Sequence, residues 1–127
     1  MSKTPVILYI EDNLDNRKLI SRLLTAFGFE VYTAVSGQDG LAYVANNTPD
    51  LILMDLSMPE MDGYTVASEM RTLPHLDQVP IIALTANVMK GDRERSLEAG
   101  CDGYIQKPIS VDTFPNQLRA FLNKGRN

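Results

Sequence analysis

Apolar residues in this chain gather into short continuous runs, separated by stretches in which they recur every three or four positions. Val6-Ile7-Leu8-Tyr9-Ile10, Leu51-Ile52-Leu53-Met54 and Ile81-Ile82-Ala83-Leu84 are uninterrupted, the pattern of strands buried on both faces in a parallel sheet. Residues 30–34 read as a shorter strand at an edge, and residues 103–106 as the last strand. After the first run the period changes. Leu19, Ile20, Leu23, Leu24 and Phe27 fall at helical spacing, with Asn13 as the cap and Gly28 as the stop. Ser36 caps a weaker helix to about residue 45, opposed by Gly37 and Gly40. Asp62 caps a third helix through Arg71, whose inner face is Val66, Ala67 and Met70. Residues 72–79, with Pro74 inside and Pro80 behind, read as a loop. Residues 88–99 are helix-like but poorly amphipathic, with Gly91 inside and Gly100 behind, and predict a loosely held helix. Phe114, Leu118, Phe121 and Leu122 define a closing helix that begins near Asp112, because Pro115 fits only a first turn.

Five β-α repeats thus follow one another without a linker or a low-complexity segment. Such alternation implies one α/β domain, a parallel sheet covered on both faces and joined by right-handed crossovers. Periodicity does not give the strand order. A chain of 127 residues can bury a sizeable core, and 44% hydrophobic with 22% charged residues excludes disorder. No apolar run approaches the length that crosses a bilayer, and the first residues are not a signal peptide. Cys101 is the single cysteine, so no internal disulfide forms and a reducing, cytoplasmic compartment fits. A formal charge of −4 offers no basic surface for nucleic acid.

The chemistry gathers where the apolar runs stop. Leu51 to Met54 run straight into Asp55, and the first run ends in Glu11-Asp12-Asn13. In a parallel sheet the carboxyl ends of all strands lie on one edge, outside which such sheets bind ligands. That edge collects Glu11, Asp12, Asp55, Thr85 and Lys107. Three carboxylates brought together repel one another unless a cation neutralises them. Oxygen donors without histidine or thiolate suit a hard divalent ion, above all Mg²⁺, which keeps waters and leaves room for phosphate oxygens. A carboxylate nucleophile, a divalent ion, a lysine and a hydroxyl are the equipment for phosphoryl transfer to an acid. Taken singly, each of these residues is as well explained as a cap or a solvated charge. Their joint placement at strand ends is what points to chemistry.

With these residues in register, the chain resembles a receiver domain of the two-component response-regulator family, the CheY-like superfamily, essentially from end to end. Glu11-Asp12, Asp55, Thr85-Ala86 and Lys107-Pro108 stand at the family's positions, as do Met58-Pro59 and Gly63 in the loop after the acceptor. The resemblance implies a flavodoxin-like sheet in the order 2-1-3-4-5. It implies that Asp55 accepts phosphate from a phosphohistidine and ligates Mg²⁺, together with Asp12, Glu11 through water and the backbone carbonyl of Ser57. Lys107 would pair with Asp55 and then with the phosphoryl group, whose oxygens Thr85 and the amide of Ala86 would bind. Lys107-Pro108 would be a cis peptide. Glu11 replaces the commoner aspartate. The side chains of Ser57 and Asn87 would border the path of the attacking water. Tyr104 stands as the rotameric switch partner of Thr85, and the face made by residues 88–99, the last strand and the closing helix as the surface that changes.

The expected function is therefore a stand-alone receiver over residues 1–127, without an output domain. It takes phosphate from a histidine kinase or histidine phosphotransfer protein and signals to a downstream protein as a monomer or weak dimer. Beyond its own phosphorylation and dephosphorylation it is not an enzyme. A receiver excised from a hybrid kinase is the alternative. A small Mg²⁺-dependent phosphatase would carry a second acid where Ser57 stands, and no cap insertion is present. A flavin or nucleotide binder needs a Gly/Ser/Thr-rich loop where two acids follow the first strand. His75 is expected to be exposed and without a partner, Cys101 small and buried, and the methionines to serve as packing.

Overall fold

The computed structural model describes residues 4–56, 63–85, 99–107 and 109–124. Their order is β1 (Val6–Ile10), α1 (Leu14–Ala26), β2 (Glu30–Ala34), α2 (Gly37–Val44), β3 (Leu51–Asp55), α3 (Gly63–Arg71), a 3₁₀ turn (Pro74–Leu76), β4 (Ile81–Thr85), β5 (Gly103–Gln106) and α4 (Phe114–Lys124). The strands form one parallel sheet in the order β2-β1-β3-β4-β5. This is the doubly wound α/β architecture that the alternation and the resemblance lead one to expect.

Side-chain alternation divides the sheet into two apolar layers. Ile7, Tyr9, Leu51, Leu53, Ile82, Leu84 and Ile105 face one side, where Ile20 and Leu24 of α1 and Phe114 and Leu118 of α4 cover them. Leu8, Ile10, Ile52, Met54, Ile81 and Ala83 face the other, against Val44 of α2, Val66, Ala67 and Met70 of α3, and Leu76. Every residue of β3 and β4 is buried, so truncating one of their large aliphatic side chains should cost about 2–5 kcal/mol.

Local signals set the element ends. The Asn13 side chain accepts from the Asn16 N–H at 2.9 Å and caps α1, and the Ser36 hydroxyl accepts from the Asp39 N–H at 3.1 Å and caps α2. Gly28 closes α1 at φ 92°, a backbone angle open to glycine. Four expectations need correction. Leu19 and Phe27 share the period of α1 but are 59% and 46% exposed, because the helix seats only a narrow stripe on the sheet. The span read as a loop contains the 3₁₀ turn, started by Pro74 at its first position. His75 is exposed but has a partner: its Nε2 donates to the Val44 carbonyl at 2.6 Å and ties that turn to α2. The closing helix starts at Phe114 rather than Asp112, residues 111–113 forming a turn. The expected cap Asp62 and the expected helix over residues 88–99 lie outside the described residues.

At the amino end of the sheet Arg71 joins four segments. Its Nε donates to the Gly100 carbonyl at 2.9 Å, and its Nη1 donates to the Leu76 and Val79 carbonyls at 2.8 Å each. Its Nη2 pairs with Asp102 at 2.6 Å, and the same Asp102 oxygen accepts the Ile81 N–H at 2.9 Å. Gly100 has φ 103°, and a Cβ there would lie 2.5 Å from the Arg71 Cγ, so both its angle and its closeness to the arginine call for glycine.

Candidate functional site

Alternation also decides which strand-end side chains can meet. Tyr9 and Glu11, Leu53 and Asp55, and Ile105 and Lys107 are two residues apart, so each second member continues the parity of the face that packs against α1 and α4. Their strands carry them to the same edge. The Lys107 Nζ lies 2.5 Å from Asp55 Oδ2, across 52 positions of sequence, and 4.0 Å from Glu11 Oε1. The Lys107 N–H donates to the Thr85 carbonyl at 2.7 Å, which anchors the lysine to the end of β4.

Glu11 and Asp55 are buried, 1% and 2% exposed. Burial pushes the Glu11 carboxyl above the ordinary carboxylate range, and a hydrogen bond with Asp55 and its negative charge push it further. The Asn13 N–H and Lys107 act in the other direction. Two buried acids thus face each other with one lysine between them. Asp12 is exposed at the rim. Thr85, 8% exposed, has the opposite parity and lies on the sheet face of Ala83 and the half-buried Tyr104. Ala83 pairs with Tyr104 and Thr85 with Gln106, so Thr85 and Tyr104 are diagonal neighbours on adjacent strands. The structure therefore joins Asp55, Glu11 and Lys107 directly and sets Thr85 beside them. Ser57, Ala86, Asn87 and Pro108 lie outside the described residues, and the expected cis peptide with them.

Residues 7–119 match the response regulator receiver domain. The chain belongs to that family. The polar-differentiation response regulator DivK of Brucella ovis is 40% identical over 119 residues, which cover 94% of this chain and 97% of that protein. Among solved structures, the receiver domain of a Pseudomonas aeruginosa sensor histidine kinase superposes with a TM-score of 0.86 at 35% identity, covering 95% of this chain and 99% of that one. That structure has a magnesium ion coordinated in its active site cleft. The chemotaxis response regulator CheY4 of Vibrio cholerae gives a TM-score of 0.87 at 26% identity, over 93% and 98% of the two chains.

Does the edge of this receiver domain suit such an ion? Among the described residues no three acidic, histidine or cysteine side chains form a cluster that could hold a metal by itself, so the expected three-carboxylate cage is not closed. Magnesium, however, is commonly held through one or two carboxylates, with waters completing its shell. Two adjoining buried acids share Lys107, and Glu11, held above its ordinary range by burial first and by Asp55 second, would gain from a further positive charge. The donor chemistry fits.

Reading the sequence did not reveal what surrounds Glu11. The Tyr9 hydroxyl donates to Glu11 Oε1 at 3.1 Å and Asn16 Nδ2 to the same oxygen at 3.2 Å. Arg17 Nη1 donates to the Glu11 carbonyl at 2.9 Å. A signal existed: a tyrosine two places before an acid on one strand shares its face.

Proposed function

We propose that this receiver domain accepts a phosphoryl group on Asp55 from a phosphohistidine of a sensor kinase or histidine phosphotransfer protein. The observation that carries the reading is the Lys107 ammonium at 2.5 Å from Asp55, beside buried Glu11, at the ligand-binding edge of the sheet. An Asp55 oxygen forms the new P–O bond as the donor's P–N bond breaks, and the imidazole leaves with the electron pair. Lys107 turns from Asp55 toward the phosphoryl oxygens as they gain charge. The Thr85 hydroxyl and the Ala86 amide bind the same oxygens. Asp55, Asp12, the Ser57 carbonyl and, through water, Glu11 would hold Mg²⁺, which when bound would supply the remaining positive charge.

The phosphoryl group draws Thr85 toward it, and Tyr104 takes up the space that Thr85 leaves. Their diagonal placement on one sheet face supports this coupling. The surface of β5, α4 and residues 88–99 then changes its affinity for a downstream protein partner. We read the protein as a cytoplasmic single-domain regulator, monomeric or weakly dimeric, that turns over nothing but its own phosphoryl group. The 97% coverage of DivK supports that size. A receiver from a hybrid kinase is the second reading, favoured by the 35% identity to the receiver of a sensor kinase.

The test is phosphate transfer from phosphorylated histidine kinases and from a small acyl phosphate, read by intact mass with and without Mg²⁺. One phosphoryl group should add to the wild type and none to Asp55→Asn. A wild-type chain that gains no phosphoryl mass, or an Asp55→Asn chain that gains as much, ends this reading.

A further inference from the structure

Glu11 is fixed at every polar atom. Its N–H donates to the Ala34 carbonyl at 2.9 Å, and its own carbonyl accepts Arg17 Nη1 at 2.9 Å. Its Oε2 accepts the Asn13 N–H at 3.3 Å, while Oε1 takes both Tyr9 and Asn16. Tyr9 is, among the described residues, the largest fully buried side chain. Phenylalanine would fill the same space between the sheet and its helices. A hydroxyl in an apolar layer is costly to bury unless it is bonded, and the bond it makes here is to Glu11. Tyr9 and Asn16 are both neutral donors. They can aim the carboxylate without cancelling its charge, whereas Lys107 is shared with Asp55.

We propose that Tyr9 and Asn16 are positioning residues: by holding Glu11 Oε1 from beneath and from α1, they keep this carboxylate turned toward Asp55 for divalent cation binding. The inference rests on reading this edge as a magnesium-assisted phosphorylation centre. Hydrogen-bond partners of this kind orient metal-facing groups, and their loss commonly weakens metal affinity.

The test is calorimetric titration of the full chain with Mg²⁺, for wild type, Tyr9→Phe and Asn16→Ala. It is paired with phosphorylation by an acyl phosphate across Mg²⁺ concentrations. Tyr9→Phe should raise the Mg²⁺ Kd about tenfold and leave the rate at saturating Mg²⁺ near that of wild type. Asn16→Ala removes a side-chain donor but keeps the backbone N–H that Asn13 caps, and should weaken binding in the same direction. Because Asn16 is exposed, it tests the idea even if the core does not accept Tyr9→Phe. In a Glu11→Gln background Tyr9→Phe should add little further loss of affinity. Unchanged Mg²⁺ affinity in both variants, or a full additional loss in the Glu11→Gln background, overturns this inference alone. A wild type that binds no Mg²⁺ overturns the centre itself and the inference with it.

Discussion

At the amino end of the sheet Arg71 faces Asp102 with the carbonyls of Gly100, Leu76 and Val79 around it. At the carboxyl end Lys107 faces Asp55 and Glu11, with Asp12 at the rim. Both regions are ionic and both join segments far apart in sequence, yet their charge balance is opposite. The guanidinium spreads one charge over several acceptors, and Asp102 is also bonded to the backbone of β4, so the pair is matched and hydrogen-bonded. At the other end, among the described residues, one ammonium serves two buried acids, and Glu11 is pushed above its ordinary range by burial first and by Asp55 second. A matched cluster holds a fold together. A cluster short of positive charge is poised to take up a cation or to lose charge by reaction.

The comparison breaks most visibly through Lys107. Lys107→Ala removes the positive charge nearest Asp55 and should slow phosphorylation about 10²–10³-fold, the usual loss for one charge-stabilising group, measured by intact mass against time. The fold should survive, because the two acids left without the lysine can hold a proton or a cation in its place. Arg71→Ala should do the reverse. It strands Asp102 and several carbonyls, and should destabilise the domain by about 3 kcal/mol in urea unfolding while the folded fraction is still phosphorylated. Cys101 gives a second readout at that end. Burial pushes its thiol up to about 11, while Arg71 pulls it down and Asp102 pushes it up, so it should resist thiol reagents at neutral pH. Arg71→Ala should make it label faster by loosening its surroundings. Equal labelling in wild type and variant would show that the junction does not protect this corner.

These two ends differed also in how far the sequence revealed them. The strands could be read because β1, β3 and β4 are buried on both faces and leave continuous apolar runs. Parallel pairing then forces their carboxyl ends to one edge, so Asp55, Glu11 and Lys107 could be brought together from sequence alone. The Arg71–Asp102 pair could not. Its members are 31 residues apart, Arg71 at the last position of α3 and Asp102 just before β5, where neither periodicity nor capping constrains a long side chain. Leu19 and Phe27 show the same limit, since helical spacing identifies an apolar stripe but not how much of it the sheet will cover. Glu11 was legible as an acid, but its support by Tyr9 and Asn16 was not, because an aromatic residue in an apolar run reads as packing.

The smallest effect is the most specific, and it concerns Glu11 without metal. Its folded pKa lies above the ordinary carboxyl value of 4.5, through burial first and Asp55 second. The folded state therefore holds this proton more tightly than the unfolded chain. The stability it contributes is fully present below that ordinary value and is lost as pH rises through the folded pKa. Glu11→Gln, which carries no charge to bury, should escape that loss. In metal-free buffer its melting temperature should exceed that of wild type at neutral pH, and the difference should shrink as the pH approaches about 5. Added Mg²⁺ works in the other direction. At ten times its Kd it should stabilise wild type by about 1.4 kcal/mol and help the variant less, since a neutral amide repels Asp55 less and draws a cation less. The gap at neutral pH should therefore narrow or reverse. A constant difference between the two proteins across pH and Mg²⁺ would mean that Glu11 is balanced within the fold, like Asp102, and that the two ends of the sheet are alike after all.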